Sequence, residues 1–235
     1  MVTITSIAGG APKPVFDRLG PVYERQSGNK LNALYDTMSG IQARLGKREA
    51  LDVLLMPVSM LDVLEKDGTV RAESRATLAI IGLGVGVKTG AKIPDISTPE
   101  ALRHALGSAR AVVHAPPGAT PSGAQSDKVI RELGLAGKVP VIHRAGLAGG
   151  VAAIASGEAE YGIFPKSEIV AFDGVTLIGS LPGALQLNIV YGAAVTAASP
   201  VAGPAAAFIQ FLIALESRKV WNSCGFDAPD VSPSS

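Results

Sequence analysis

A single cysteine, Cys224, stands in 235 residues, so neither an internal disulfide nor a multi-cysteine metal site can form. Histidine is nearly as scarce: His104, His114 and His143 are far apart in the chain and have no acidic partner nearby. Surface or loop histidines are therefore expected, with no bound metal and no cofactor. Neither sign of charge prevails, since 21 Lys and Arg stand against 20 Asp and Glu, a net charge of +1. Such a balance provides no global field for nucleic acid or an anionic membrane, so any charge preference must be local. Long apolar runs are also missing. The most apolar stretch, Val201 to Leu215, contains Pro204, is followed by Glu216, Arg218 and Lys219, and is too short to span a bilayer; it reads as a core helix. The first residues, Met1 to Ala8, alternate like a strand and lack the basic region and apolar core of a secretory leader. The expected location is periplasmic if a leader has been removed, and cytoplasmic otherwise.

Two nucleotide motifs fail on inspection. Gly118-Ala119-Thr120-Pro121-Ser122-Gly123-Ala124-Gln125 has the glycine spacing of a phosphate loop, but Ala124 stands where the lysine is needed. The series Gly82, Gly84, Gly86 does not complete a dinucleotide fingerprint, because Val87 occupies the last position and the run lies within a strand pattern.

What is present is alternation. With 47% hydrophobic residues, the chain can bury one large core or two small ones. Val15, Phe16, Leu19, Val22 and Tyr23 mark the buried face of a helix over 14–26 that Gly28 ends. Strands at 31–35 and 51–56 alternate with helices at 39–45 and 60–65. A second set follows: helices at 99–107, 122–133 and 148–156, and strands at 111–114, 139–143 and 161–164. Strands alternating with helices predict parallel pairing in an α/β sheet. Two long apolar strands, 78–87 and 185–195, read as crossings between two domains, 1–82 with 191–235 and 83–190. Helices at 204–215 and 218–223 complete the first domain, and the Pro/Ser-rich tail from Ala228 is expected to fray.

Four loops feed helix starts. Gly9-Gly10-Ala11 follows the first strand and Thr37-Met38-Ser39 the second; Ser122-Gly123 and Leu147-Ala148 open helices of the other half. Unpaired N–H groups at a helix start, with the helix dipole behind them, bind anions without a cationic side chain. The stretch Gly157 to Ser167 reads as a helix end, a tight turn and a buried strand running into a polar loop that holds Pro165 and Lys166.

At this point the chain resembles a known family. The run 14–30, Ser39-Gly40-Ile41, Leu51-Asp52-Val53, Pro121-Ser122-Gly123 and Gly157-Glu158-Ala159-Glu160-Tyr161-Gly162 are similar, in order, to the molybdate-binding-protein-like solute receptors. The resemblance implies a type II periplasmic-binding-protein fold: two α/β domains, two crossover strands and a central cleft that closes on a ligand. It also implies a monomer that takes a small anionic ligand, works with a membrane transporter permease and binds no nucleic acid. The family's binding positions fall on Ala11, on Met38 and Ser39, on Ser122 and Leu147, and on Pro165, where the family has a tyrosine. A serine hydroxyl and a tyrosine are thereby lost while Lys166 is gained, and Arg144 stands near, so a carboxylate competes with an oxyanion as the expected ligand.

A branch of the same family, the aconitate isomerase type, resembles the Gly-Glu-Ala-Glu-Tyr-Gly stretch and Leu181-Pro182-Gly183-Ala184-Leu185-Gln186. An isomerase needs a positioned base, for which Asp36 and His143 are the candidates. No residue is assigned as catalytic. A ligand-sensing domain of a regulator, which shares this fold, is a third reading.

Overall fold

The computed structural model describes residues 1–229. The elements run β1 (Thr3–Ala8), α1 (Lys13–Ser27), β2 (Lys30–Tyr35), α2 (Met38–Gly46), β3 (Val53–Pro57), α3 (Val58–Lys66), β4 (Ala76–Lys88), α4 (Pro99–Gly107), β5 (Val112–His114), α5 (Pro121–Glu132), β6 (Val141–His143), α6 (Ala152–Ser156), β7 (Tyr161–Pro165), α7 (Lys166–Val170), β8 (Val175–Ser180), β9 (Asn188–Val195), α8 (Ala202–Ile213) and α9 (Leu215–Ser223). Residue contacts divide the chain into two compact units, Met1–Ile80 with the chain from Ile189 onward, and Ile81–Asn188.

In the first unit β1 pairs in parallel with β2 on one side and β3 on the other, and β9 lies antiparallel to β3. One sheet face packs Ile7, Leu54 and Met56 against Ile41 and Leu61 of the neighbouring helices. On α1, Phe16, Leu19 and Tyr23 are buried at helical spacing, and Gly28 ends the helix in the left-handed region, φ 70°, with its amide donating to the Glu24 carbonyl. Phe208 of α8 meets Phe16 and Tyr23, ring centroids 5.8 and 4.7 Å away. Trp221 of α9 is fully enclosed and donates its indole N–H to the Leu212 carbonyl at 3.1 Å.

In the second unit β5 pairs in parallel with β6 and β7, while β4 runs antiparallel to β7 and β8. Successive strand residues face opposite sides. Val112 and Ile163 join a core with Leu102, Leu106, Val129 and Ile130, whereas Val113 and Phe164 join another with Val151, Ile154 and Ile169.

Several elements depart from the sequence reading. A strand over 185–195 was the expectation, but β9 begins at Asn188 because the preceding residues turn through a short 3₁₀ segment, Gly183–Leu185. Gln186 then does with its side chain what a strand would do with its backbone: it accepts from the Leu83 amide at 2.8 Å and donates to the Leu83 carbonyl at 2.9 Å. The polar loop expected after Phe164 is helix α7, with Lys166 and Ser167 buried in its first turn. The helix expected over 148–156 starts as a π-helical turn, Gly146–Val151, before α6. Strand β8, between Gly174 and Leu181, went unread. The frayed tail expected from Ala228 lies, beyond Pro229, outside the described residues.

Candidate functional site

In the first unit the loops after β1 and β2 leave the carboxyl ends of adjacent parallel strands. Gly9, Gly10 and Ala11 lead into α1, and Thr37, Met38 and Ser39 open α2. The two loops touch: a Cβ on Gly9 would stand 2.8 Å from the Met38 terminal methyl and 3.5 Å from the Tyr191 hydroxyl, so only glycine fits without a shift. Tyr191, on β9, is a neighbour of this loop that sequence reasoning missed. Met38 also packs on the core of the unit.

Thr37 has extended backbone and its hydroxyl oxygen accepts from the Gly40 amide at 3.1 Å, an N-cap that satisfies one free donor of α2. Its oxygen lies 3.1 Å from the Ser39 hydroxyl. The second unit repeats this arrangement. Thr120 caps α5 by accepting from the Gly123 amide at 3.0 Å, and its oxygen lies 2.9 Å from the Ser122 hydroxyl. Thr37-Met38-Ser39-Gly40 and Thr120-Pro121-Ser122-Gly123 are thus one motif used twice, a Thr-x-Ser-Gly repeat that was legible in the sequence and was not read.

The glycine of each motif is required by close approach. A Cβ on Gly123 would meet the Pro116 and Ala115 carbonyl oxygens at 2.5 and 2.8 Å, and one on Gly40 would collide with the Asp36 carboxylate. Neither α1, α2 nor α5 carries an acidic residue in its first turn, although the Asp36 carboxylate stands just before α2 and accepts from the Thr37 amide. Ser122 and Gly123 follow β5, Leu147 and Ala148 lie in the π-helical turn after β6, and Pro165 and Lys166 close β7. These strands are neighbours, with His114 opposite both His143 and Ile163, so the three loops leave one end of the sheet. Leu147 is exposed, whereas Lys166 is 7% exposed.

The candidate bases change character. Asp36 accepts from the Arg44 guanidinium at 2.9 Å and the Thr37 amide at 2.8 Å. The Arg44 hydrogen bond first, then the amide, holds its carboxyl below the usual range. It is a paired carboxylate, and the residue that caps α2 is Thr37. Arg144 donates two hydrogen bonds to Glu158, at 2.7 and 2.6 Å, which commits its charge.

His114 is not the surface histidine expected. It is fully buried, with Nδ1 2.8 Å from the Ala115 carbonyl and the His143 ring edge-on at 4.8 Å. Burial pushes its imidazole below the ordinary value, and nearby His143 adds to that; the Ala115 carbonyl and Asp127 oppose it. His143 is exposed. No group of three or more His, Cys, Asp or Glu suited to a metal occurs among the described residues, and no helix there is long and apolar enough to cross a membrane.

A family model for bacterial extracellular solute-binding proteins matches residues 4–227. The chain belongs to that family. The solute-binding proteins of known structure give the fold directly. A substrate-binding domain assigned to a molybdenum ABC transporter of Clostridium difficile superposes with a TM-score of 0.84 at 17% identity, covering 98% of this chain and 100% of that one. The periplasmic molybdate-binding protein of Azotobacter vinelandii gives 0.74 at 18% identity, covering 97% and 100%. The present chain shares the mixed α/β fold of these neighbours. By sequence, an aconitate isomerase of a Pseudomonas species is 27% identical over 243 residues, spanning 99% of this chain and 90% of the relative.

Proposed function

We propose that this solute-binding protein captures a small anion, a carboxylate or an oxyanion, on its helix-start loops and delivers it to an ABC-type transporter outside the cytoplasm. The observation that carries the reading is the Thr-x-Ser-Gly start of α2 in one unit and of α5 in the other, each without an acidic residue in its first turn. In each, threonine takes the glycine amide, which leaves the serine amide and hydroxyl for a ligand. Gly9, Gly10, Ala11, Thr37, Met38 and Ser39 form the contribution of the first unit. Ser122, Gly123, Leu147, Ala148, Pro165 and Lys166 form that of the second.

Among anions the residues favour carboxylates. A compact tetrahedral oxyanion needs short donors all round, whereas Met38 and Pro165 present apolar surface to a carbon skeleton, and Lys166 adds a cationic donor for a carboxylate. A thermal-shift and calorimetric screen of molybdate, sulfate and di- and tricarboxylates at fixed pH and ionic strength tests this.

A second reading, an isomerase of aconitate on the same scaffold, is supported by the full-length similarity to the Pseudomonas relative. Its weakness is the base: of the two candidates, Asp36 is held in an ion pair with Arg44 and His143 is exposed to solvent. Following interconversion of cis- and trans-aconitate separates the two. Turnover establishes the enzyme, and binding without turnover the receptor.

A further inference from the structure

Two buried side-chain polar atoms among the described residues have no hydrogen-bond partner, His114 Nε2 and Ser167 Oγ. Their residues are 0% and 2% exposed, so bulk water does not serve them. Other buried polar groups are matched: Asp52 accepts from the Ser199 hydroxyl at 2.6 Å and the Thr5 amide at 2.8 Å, and Thr196 donates to the Leu51 carbonyl at 2.5 Å. The orphans also share a place. His114 ends β5, Ser167 follows the end of β7, and these strands are parallel neighbours. Both therefore stand at the carboxyl ends of the strands, where the loops of Ser122 and Lys166 begin and where open α/β sheets hold ligands.

The chemistry of the pair is specific. The Ala115 carbonyl can only accept, so the His114 ring carries its proton on Nδ1 and presents a lone pair on Nε2. A buried lone pair calls for a donor. Molybdate, sulfate and plain ionised dicarboxylates offer acceptors alone. A hydroxyl supplies the donor, while a carboxylate on the same molecule accepts from the Ser167 hydroxyl.

We propose that the second unit recognises a hydroxycarboxylate, whose hydroxyl donates to His114 Nε2 and whose carboxylate accepts from Ser167. The assignment rests on the anion-receptor reading and narrows it. A site built to pair with a ligand hydroxyl discriminates strongly against an analogue that lacks it, because its own polar atom is then left unpaired. The Nδ1 hydrogen bond to the Ala115 carbonyl sets the direction in which the Nε2 lone pair points, and the His143 ring lies edge-on to that of His114.

Calorimetry with two ligand pairs that differ by one hydroxyl tests the proposal: malate against succinate, and citrate against tricarballylate. The hydroxy acid of each pair should bind at least about tenfold more tightly to the wild-type protein. His114→Phe should level each pair, and because both ligands are measured on one variant, the ratio is independent of how much of it folds. In the wild type, the His114 Nε2 resonance in ¹⁵N spectra should move with malate and stay in place with succinate. Equal affinities within both pairs overturn the hydroxyl assignment and leave the anion reading standing. A preference that survives in His114→Phe overturns the role of His114. Tight molybdate or sulfate with no carboxylate bound overturns the carboxylate reading as well.

Discussion

Thr37 Oγ1 lies 3.1 Å from Ser39 Oγ, and the same pair recurs 83 residues on, with Thr120 Oγ1 2.9 Å from Ser122 Oγ. In both, the threonine is committed to a glycine amide, so the serine is the residue with capacity to spare. Ser39→Ala and Ser122→Ala should each weaken anion binding by about 1–2 kcal/mol, the worth of one hydrogen bond to a charged partner. Calorimetry reads this directly. Unchanged affinity in both variants would move the site elsewhere.

Gly123 sits where the first turn of α5 presses on the end of β5. Gly123→Ala places a methyl 2.5 Å from the Pro116 carbonyl oxygen, and the overpacking should cost about 1–3 kcal/mol of stability. Gly118→Ala, in the same loop, meets nothing within 4 Å and is the control. Urea midpoints for the two variants should therefore separate. Equal midpoints would show that the helix start yields freely.

The buried His114 makes the fold sensitive to acid. Its folded value lies below the ordinary one of about 6.5, chiefly through burial, so the unfolded chain takes up the proton more readily. The stabilisation is complete above about pH 6.5 and is lost as pH falls toward and through the folded value. Asp127, which faces the ring from α5, limits the loss, and His143 enlarges it. The melting temperature of the wild type should drop on acidification below about 6.5 more steeply than that of His114→Phe. Parallel profiles would contradict this.

The Lys166 stem lies against β4, where a Cβ on Gly84 would be 3.0 Å from its Cγ. Lys166→Met keeps an aliphatic stem and removes the cation. Carboxylate affinity should fall roughly tenfold, in line with the loss of a charge-assisted hydrogen bond. Retention of full affinity would take Lys166 out of the ligand set.

Much of this architecture is legible in residue order. The apolar spacing over Val15 to Tyr23 gives α1, and the alternation of strands and helices gives parallel pairing of β1 with β2 and β3 and of β5 with β6 and β7. Where reading failed, a tertiary contact decided. β9 starts late because the Gln186 amide serves the Leu83 backbone. Lys166 and Ser167 look like a polar loop but are buried as α7 packs beside β8. His114 reads as the last residue of a strand at 111–114, and its burial comes from neighbours distant in sequence. The loops of the candidate site were legible as glycine and serine at helix starts. Their shared threonine caps required seeing two short motifs as one.

The central claim is that the helix starts hold a small anion, and equilibrium binding tests it most directly. Titration calorimetry and thermal shift, with molybdate, sulfate, citrate, aconitate, malate and succinate at fixed pH and ionic strength, should find at least one anion that binds. At about 100 times its dissociation constant that anion should stabilise the fold by about 2.7 kcal/mol, with the carboxylates ahead of molybdate. Tight molybdate with no carboxylate bound would contradict the ligand class, and no stabilisation by any anion would contradict the claim itself.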